Sequence, residues 1–252
     1  MNANNSLKIS IITVVYNNEE TIQDAVKSVL TQSYKNIEYI IIDGKSTDNT
    51  LKKIEPYKSR ISTIISEKDK GIYDAMNKGV KIAKGDVIGI LNSDDFYINN
   101  HVIEDVMNCF NMNKDIVFGN LFYVNANNTN KIVRKWKSSI FRKGSFRFGW
   151  HPPHPSFFAK KELYEKLGYF KTNLKISADF ELMLRFMEDI NTSSFFLNKF
   201  LVKMRDGGES NRSLSNRIMG HKDFYESFKL NNVKPIPFYS FVRLINKIKQ
   251  YI

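Results

Sequence analysis

Over the first hundred residues, short apolar runs alternate with segments whose apolar residues recur every three or four positions. Residues 8–15 (KISIITVV) are rich in β-branched side chains and predict a strand, and the Ile22, Ala25, Val26, Val29 and Leu30 that follow lie at helical spacing. Residues 37–43 (IEYIIID), 61–66 (ISTIIS) and 86–91 (DVIGIL) predict three more buried strands, separated by helical or turn-rich stretches. Such a series predicts an α/β fold with a Rossmann-like, mostly parallel central sheet flanked by helices. In residues 67–86, Ile72, Met76, Val80 and Ala83 form the expected inward face of a helix, with Tyr73 and Asn77 together on a neighbouring face.

Beyond residue 100 the order becomes mixed. The pattern predicts helices at 101–111 and 178–188 and strands at 115–124, 131–136 and 156–159. After Pro235 and Pro237, one helical face carries Phe238, Phe241, Val242, Ile245, Ile248 and Ile252, and the opposite face carries Arg243, Lys247 and Gln250. The chain therefore reads as one domain over residues 1–232 followed by a basic amphipathic helix at 233–252.

A hydrophobic content of 42% over 252 residues is enough to fill a core. The single cysteine, Cys109, excludes an internal disulfide framework and a cysteine-based zinc site, fits a reducing cytoplasm, and is expected as a buried thiol in a helix. The start, MNANNSLK, has no signal-peptide pattern, and no apolar run approaches the ~20 residues of a spanning helix. The net charge of +12 is unevenly spread: residues 1–100 hold 13 basic and 13 acidic side chains, so the whole excess lies beyond them. The stretch 116–161 has no acidic residue and includes Lys131, Arg134, Lys135, Lys137, Arg142, Lys143 and Arg147, which reads as a surface for an anion or as an ordinary solvated one.

In open α/β sheets ligands sit beyond the carboxyl ends of the strands, and three apolar strands here end in polar residues. The ends are Tyr16-Asn17-Asn18, Asp43-Gly44-Lys45-Ser46-Thr47-Asp48 and Asn92-Ser93-Asp94-Asp95. The second, alone, reads as a turn or as a carboxylate poised for a base or ribose. In the third, adjacent carboxylates repel unless a cation or donor intervenes, and oxygen ligands of this kind suit Mg²⁺ or Mn²⁺. A solvated acidic turn or a helix cap is the alternative. Asp69 and Gly71 stand where a helix begins, a natural seat for phosphate or simply an N-terminal turn.

The segments SIITVVYNNEETI, IEYIIIDGKSTDNT, EKDKGIYDAMNKG and GDVIGILNSDD, in this order and spacing, resemble the nucleotide-binding half of family 2 glycosyltransferases. The third segment resembles the subgroup that builds bacterial surface polysaccharides such as O-antigen and colanic acid. The resemblance covers about residues 7–100. It implies a GT-A fold, with residues 7–100 as the nucleotide-sugar half and 101–232 as the acceptor half. It implies inverting transfer of a hexosyl or N-acetylhexosaminyl group from a nucleoside diphosphate sugar, UDP-linked by expectation, with Mn²⁺ or Mg²⁺.

By similarity Thr13, Tyr16 and Asn17 line the nucleoside pocket, Asp43 binds the base, and Asp69 and Asn77 lie near the nucleotide or sugar. Asn92, Ser93 and Asp94 face the donor, with Asp94 as principal metal ligand and Asp95 supporting it. Asn92 departs from the family, which commonly has the first aspartate of a D-x-D motif there. KISADFELMLR (residues 175–185) resembles the acceptor-side motif whose aspartate is the catalytic base, here Asp179, with Glu181 as a substitute. GWHPPHPSF (149–157) resembles a loop whose histidine, His154, contacts acceptor or phosphate, or it is a rigid proline-rich loop. Gly207, Gly208 and Ser210 match a glycine-glycine-x-serine element that closes over the diphosphate or turns the chain.

The acceptor implied is a glycan on a lipid diphosphate at the cytoplasmic face of a bacterial membrane, with peripheral contact through the C-terminal helix. A nucleic-acid-binding protein is the competing class, given a pI near 9.5 and the run FRKGSFRFGW. The absence of an RNP pattern and of zinc-finger spacing speaks against it. A nucleotide-sugar-binding protein with altered catalysis is the third reading, motivated by Asn92.

Overall fold

The computed structural model describes residues 6–207, 214–248 and 250. Strands β1 (Ile9–Val15), β2 (Ile37–Asp43), β3 (Thr63–Ser66) and β4 (Val87–Ile90) pair in parallel, in the order β3-β2-β1-β4. Their side chains alternate between two cores because successive residues of a strand point to opposite faces. Ile12, Val14, Ile40 and Ile42 meet helix α3 (Ile72–Ile82) on one face. Ile9, Ile11, Val15 and Ile41 meet α1 (Ile22–Leu30) and α4 (Val102–Phe110) on the other. The short helix α2 (Thr50–Ile54) links β2 to β3. Cys109 is buried in α4, as its position predicts.

The second half extends the same sheet with mixed polarity. After the two-residue β5 (Phe96–Tyr97) come β6 (Ile116–Val124), β7 (Ile132–Trp136), β8 (Phe157–Lys160) and β9 (Ser194–Arg205). β8 lies antiparallel to β4 and β6, whereas β9 runs parallel to β6 and antiparallel to β5. Helices α5 (Lys161–Leu167), α6 (Ala178–Glu188), α7 (Leu214–Leu230) and α8 (Tyr239–Ile248) complete the chain. Aromatic rings of α6 and α7 interlock edge to face, Phe180 with Phe224 at 4.7 Å and with Phe228 at 5.5 Å. The sheet is parallel in its first half and mixed in its second, as the order of elements in the sequence predicts. No helix among the described residues is long and apolar enough to cross a membrane.

Two expectations about helices change. On α3 the buried residues are Tyr73, Ala75, Met76, Asn77, Gly79 and Val80, while Ile72 is exposed, so the inward face is turned toward Tyr73 and Asn77. The C-terminal helix starts at Tyr239 and turns its polar face inward: Asn246 Nδ2 donates to the Phe148 carbonyl at 3.2 Å, and Phe238, Phe241, Leu244, Ile245 and Ile248 face solvent.

Candidate functional site

The carboxyl ends of β1 and β4, the start of α3, the start of α6 and the inner face of α8 surround one open cleft of about 1990 Å³. Its floor is the Asn92–Asp94 turn and its far wall is Asp179, in the first turn of α6. The two are joined by a histidine. His154 Nδ1 lies 3.1 Å from Asp179 Oδ2, and its Nε2 lies 3.4 Å from Asn92 Nδ2. In this arrangement the Asp179 carboxylate accepts from Nδ1–H, and Nε2 faces the Asn92 amide. Tyr73, at the start of α3, adds its hydroxyl 3.2 Å from Asp179 Oδ1 and 2.8 Å from the Ile176 carbonyl. The chain Asn92–His154–Asp179–Tyr73 therefore couples the end of β4 to α6. His154 holds one Asp179 oxygen at the cleft wall, and the Tyr73 hydroxyl, whose single proton is shared with the Ile176 carbonyl, stands beside the other.

On the floor, Asp94 lines the cleft and Asp95 is fully buried beneath it. Burial pushes the Asp94 carboxyl above its ordinary range, and burial together with the Asp94 charge pushes Asp95 well above. Asn92 Nδ2 reaches Asp95 Oδ2 at 3.4 Å, and Asn92 Oδ1 is buried with no hydrogen-bond partner. Arg205, at the end of β9, donates to the Asp94 backbone carbonyl at 2.6 Å and pairs with Asp24. An unpartnered amide oxygen beside a desolvated, cleft-facing carboxylate fits a hard divalent cation, which takes one or two protein oxygens and leaves its other positions to phosphate and water. Asp94 and Asn92 are the residues that could hold it; no group of three His, Cys, Asp or Glu side chains with metal-binding spacing occurs among the described residues.

Residues 10–168 match the sequence model of Glycosyl transferase family 2. The chain belongs to this family. Among curated relatives, the Escherichia coli UDP-Glc:α-D-GlcNAc-diphosphoundecaprenol β-1,3-glucosyltransferase WfaP is 43% identical over 99 residues, 39% of either chain. The E. coli enzyme WfgD, of the same described activity, is 38% identical over 120 residues, 47% of either chain. The chain thus aligns with less than half the length of these two relatives. Among solved structures, S. aureus TarS residues 1–349 with UDP-GlcNAc has a TM-score of 0.65 at 18% identity, covering 89% of this chain and 65% of that one. A Pyrobaculum calidifontis mannosyltransferase with GDP-Man and Mn²⁺ has a TM-score of 0.64 at 16% identity, covering 96% of this chain and 69% of that one. These likenesses establish the GT-A fold.

In this family 2 member the cleft gathers Tyr16, Asn17, Asp69, Asn92, Ser93, Asp94, His154, Asp179 and Gly207. Asn17, at φ 47°, knits two strand ends together: its N–H donates to Ser46 Oγ and its Oδ1 accepts from the Thr47 N–H, both at 2.8 Å. Ser93 Oγ accepts from Asn18 Nδ2 at 2.8 Å. Asp69 forms an ion pair with Lys78 at 2.6 Å. Gly71, at φ 120°, takes a conformation that other residues rarely adopt and starts α3 at the cleft edge.

Four expected site residues lie away from the cleft. Thr13 is fully buried and accepts from the Tyr39 hydroxyl at 3.1 Å, because its place in β1 points it into the core shared by Ile11 and Val15. Asp43 is also fully buried; its oxygens accept from the Ser46 N–H at 3.1 Å and from Ser66 Oγ at 2.6 Å, so it braces the loop after β2. Asp95 does not line the cleft; it lies under it, with Oδ2 3.4 Å from Asn92 Nδ2. Asn77 is taken up by the backbone of Phe170, donating to its carbonyl and accepting from its N–H, each at 2.9 Å. Gly208 and Ser210 lie outside the described residues.

Glu181 is a further correction. It is buried and held by Arg185, with Nη2 to Oε2 at 2.8 Å, so it cannot replace Asp179 at the cleft wall. Residues that the sequence reading left without a role in the site are Arg205, Arg243 and the rings of Tyr123, Trp136, Trp150 and Phe180. The run FRKGSFRFGW was the signal for Trp150, and nothing in the sequence reading marked Tyr123, Trp136 or Phe180.

Asn77→Ala is expected to cost about 1–3 kcal/mol of stability by orphaning the buried Phe170 amide groups, with nucleotide affinity unchanged. Urea denaturation and a nucleotide titration on one sample would check both halves. His151 gives a pH-dependent counterpart. It sits edge-on to Trp136 at 5.0 Å and to Phe180 at 5.4 Å, and burial lowers its pKa from 6.5 to about 3. The folded state thus binds fewer protons than the unfolded one between those values, so stability falls as pH drops through that window. The slope is up to about 1.4 kcal/mol per pH unit, and His151→Gln should flatten it in denaturation curves from pH 7 to 4.

Proposed function

We propose that this chain is an inverting, metal-dependent glycosyltransferase that moves a hexosyl or N-acetylhexosaminyl group from a UDP-sugar to a glycan acceptor on a lipid diphosphate, in bacterial surface polysaccharide synthesis. The observation that carries this reading is the hydrogen-bonded line from Asn92 through His154 to Asp179, which joins a metal-suited turn to a carboxylate across one cleft. The first relatives' names specify UDP-glucose and α-D-GlcNAc-diphosphoundecaprenol, and their similarity supports the choice of substrates.

The donor's base and ribose would lie by Tyr16, Asn17 and the Gly44–Lys45 turn, with its diphosphate over the Asn92–Asp94 turn. Asp94 and Asn92 would hold Mn²⁺ or Mg²⁺, which when bound offsets the charge gathering on the departing diphosphate. The acceptor hydroxyl forms its bond to the anomeric carbon from the face opposite the diphosphate. The bond from that carbon to the diphosphate oxygen breaks, and its electron pair leaves with UDP. The hydroxyl proton passes to Asp179, and attack from the opposite face inverts the anomeric configuration. His154 and Tyr73 keep the Asp179 oxygens aimed during this exchange. The exposed apolar face of α8, with basic residues beside it, suits peripheral contact with the cytoplasmic face of an anionic membrane.

Thermal-shift measurements with UDP-, GDP- and dTDP-sugars, with and without Mn²⁺, test the donor and the metal together. A UDP-sugar at about one hundred times its Kd adds about 2.7 kcal/mol of apparent stability, and this should appear most strongly with Mn²⁺. A chain that responds to no nucleotide-sugar would contradict the reading.

A further inference from the structure

The C-terminal helix is inverted relative to an ordinary amphipathic helix. Its apolar residues Phe238, Phe241, Leu244, Ile245 and Ile248 are exposed, while Arg243 is turned into the cleft. The helix is held in that orientation by its surroundings. Arg147 Nε donates to the Lys234 carbonyl at 2.7 Å, the Ile236 N–H donates to the Arg147 carbonyl at 3.3 Å, and the Lys135 N–H donates to the Gln250 carbonyl at 3.1 Å. Gly149, at φ 77°, is a contact point: a Cβ there would lie 3.1 Å from Arg243 Cα, so a larger residue would strain the backbone and push the helix outward.

Arg243 pays for this position in lost hydration, since burial lowers even its guanidinium pKa. Its guanidinium stacks on Phe224, 3.8 Å from the ring centroid. It forms no salt bridge among the described residues, although the Asp179 charge acts on it from beyond ion-pair distance. Phe224 in turn meets Phe180, the residue after Asp179, so the cation sits one aromatic layer from the proposed base. A buried cation is stable when paired, and a stacked guanidinium still offers its planar edge of donors to an oxyanion. The donor's own diphosphate has its proposed seat over the Asn92–Asp94 turn, which other elements, the ends of β4 and β9, build.

We infer that Arg243 is the seat of a second anion, the diphosphate that links the acceptor sugar to its lipid, and that the prenyl chain leaves past Phe241 and Leu244 onto the exposed face of α8. This rests on the lipid-diphosphate acceptor proposed above. The arrangement explains why the helix faces its charge inward and its apolar side outward: one element grips the charged neck of the acceptor and meets the surface its tail occupies. Phe241 and Leu244 line the cleft and are also exposed, so they stand where the two environments join.

The test uses the full chain saturated with UDP and Mn²⁺, so that the donor diphosphate position is filled, and titrates geranyl diphosphate, inorganic pyrophosphate and geraniol by calorimetry. Wild type should bind geranyl diphosphate, and Arg243→Gln should weaken that binding about tenfold or more, with Arg243→Lys recovering part of it. UDP affinity and melting temperature should be unchanged in both variants. Weaker binding of pyrophosphate than of geranyl diphosphate would support the lipid-linked diphosphate, and equal binding would reduce the site to a free-phosphate seat and overturn the lipid path. Geranyl diphosphate binding that is unaffected by Arg243→Gln while UDP still binds would overturn the inference. Failure of UDP to bind wild type would instead remove the donor reading on which it rests.

Discussion

Asp179→Asn is expected to lower kcat by about 10²–10⁴-fold, the usual contribution of a positioned general base. The donor KM should stay near its wild-type value. Asparagine keeps the shape of the side chain and can still accept a hydrogen bond from His154 Nδ1–H or from the Tyr73 hydroxyl, but it cannot take up the acceptor proton. The fold should tolerate it: Asp179 is partly exposed at a cleft wall, not enclosed in the core. Nucleotide affinity and melting temperature therefore serve as controls on the same protein. A variant with kcat within about threefold of wild type would exclude general-base chemistry at this position, since loss of a base costs far more. His154→Gln belongs in the same series. It removes the link between Asn92 and Asp179 but leaves the carboxylate, so it should cost activity less than Asp179→Asn does.

The strands that end at the cleft were legible because buried parallel strands read as nearly continuous apolar runs rich in β-branched residues, and β1, β2 and β4 are such runs. The polar residues at their ends followed from that placement. What the sequence concealed was direction. Thr13 and Asp43 are of a type suited to nucleotide contact, yet both are fully buried, and the parity of β1 turns Thr13 to the side of Ile11 and Val15. Asn77 shares a helical face with Tyr73, and burial of that face commits its amide to Phe170.

β9 escaped prediction because Asn198 and Lys199 interrupt its apolar run, where its pairing with β6 shifts register. With β9 went Arg205, which stands at its end and braces the Asp94 carbonyl. α7 shows no apolar stripe along its length, although Phe224 and Phe228 anchor it to α6. The C-terminal helix was legible as amphipathic, but which face turns inward is a tertiary fact. It is set by hydrogen bonds from Lys135, Arg147 and Asn246 that no periodicity encodes.

Glu181→Ala is expected to produce the reverse of the Asp179 result: a loss of about 3–5 kcal/mol in stability, with turnover per folded molecule nearly unchanged. The two carboxylates are two residues apart on α6, which puts them on different sides of the helix. Glu181 is almost fully buried, and its oxygens accept from Arg185 Nε at 2.9 Å and Nη2 at 2.8 Å. Arg185 also donates to the carbonyls of Leu167 and Gly168, each at 2.6 Å, and of Tyr169 at 2.9 Å, closing the loop after α5. Asn231 Nδ2 donates to Glu181 Oε1 at 3.1 Å and ties in the end of α7. Removing the carboxylate leaves a buried guanidinium whose charge only neutral carbonyls face, and that uncompensated charge is the source of the cost. A fall in melting temperature of roughly 6–20 °C should accompany it for a chain of this size. Glu181→Gln, which keeps one acceptor oxygen, should lose less. Urea denaturation paired with kcat on the folded fraction separates the two carboxylates. If Glu181→Ala kept its stability and lost turnover as Asp179→Asn does, Glu181 would be acting at the cleft and the ion pair would not be its role.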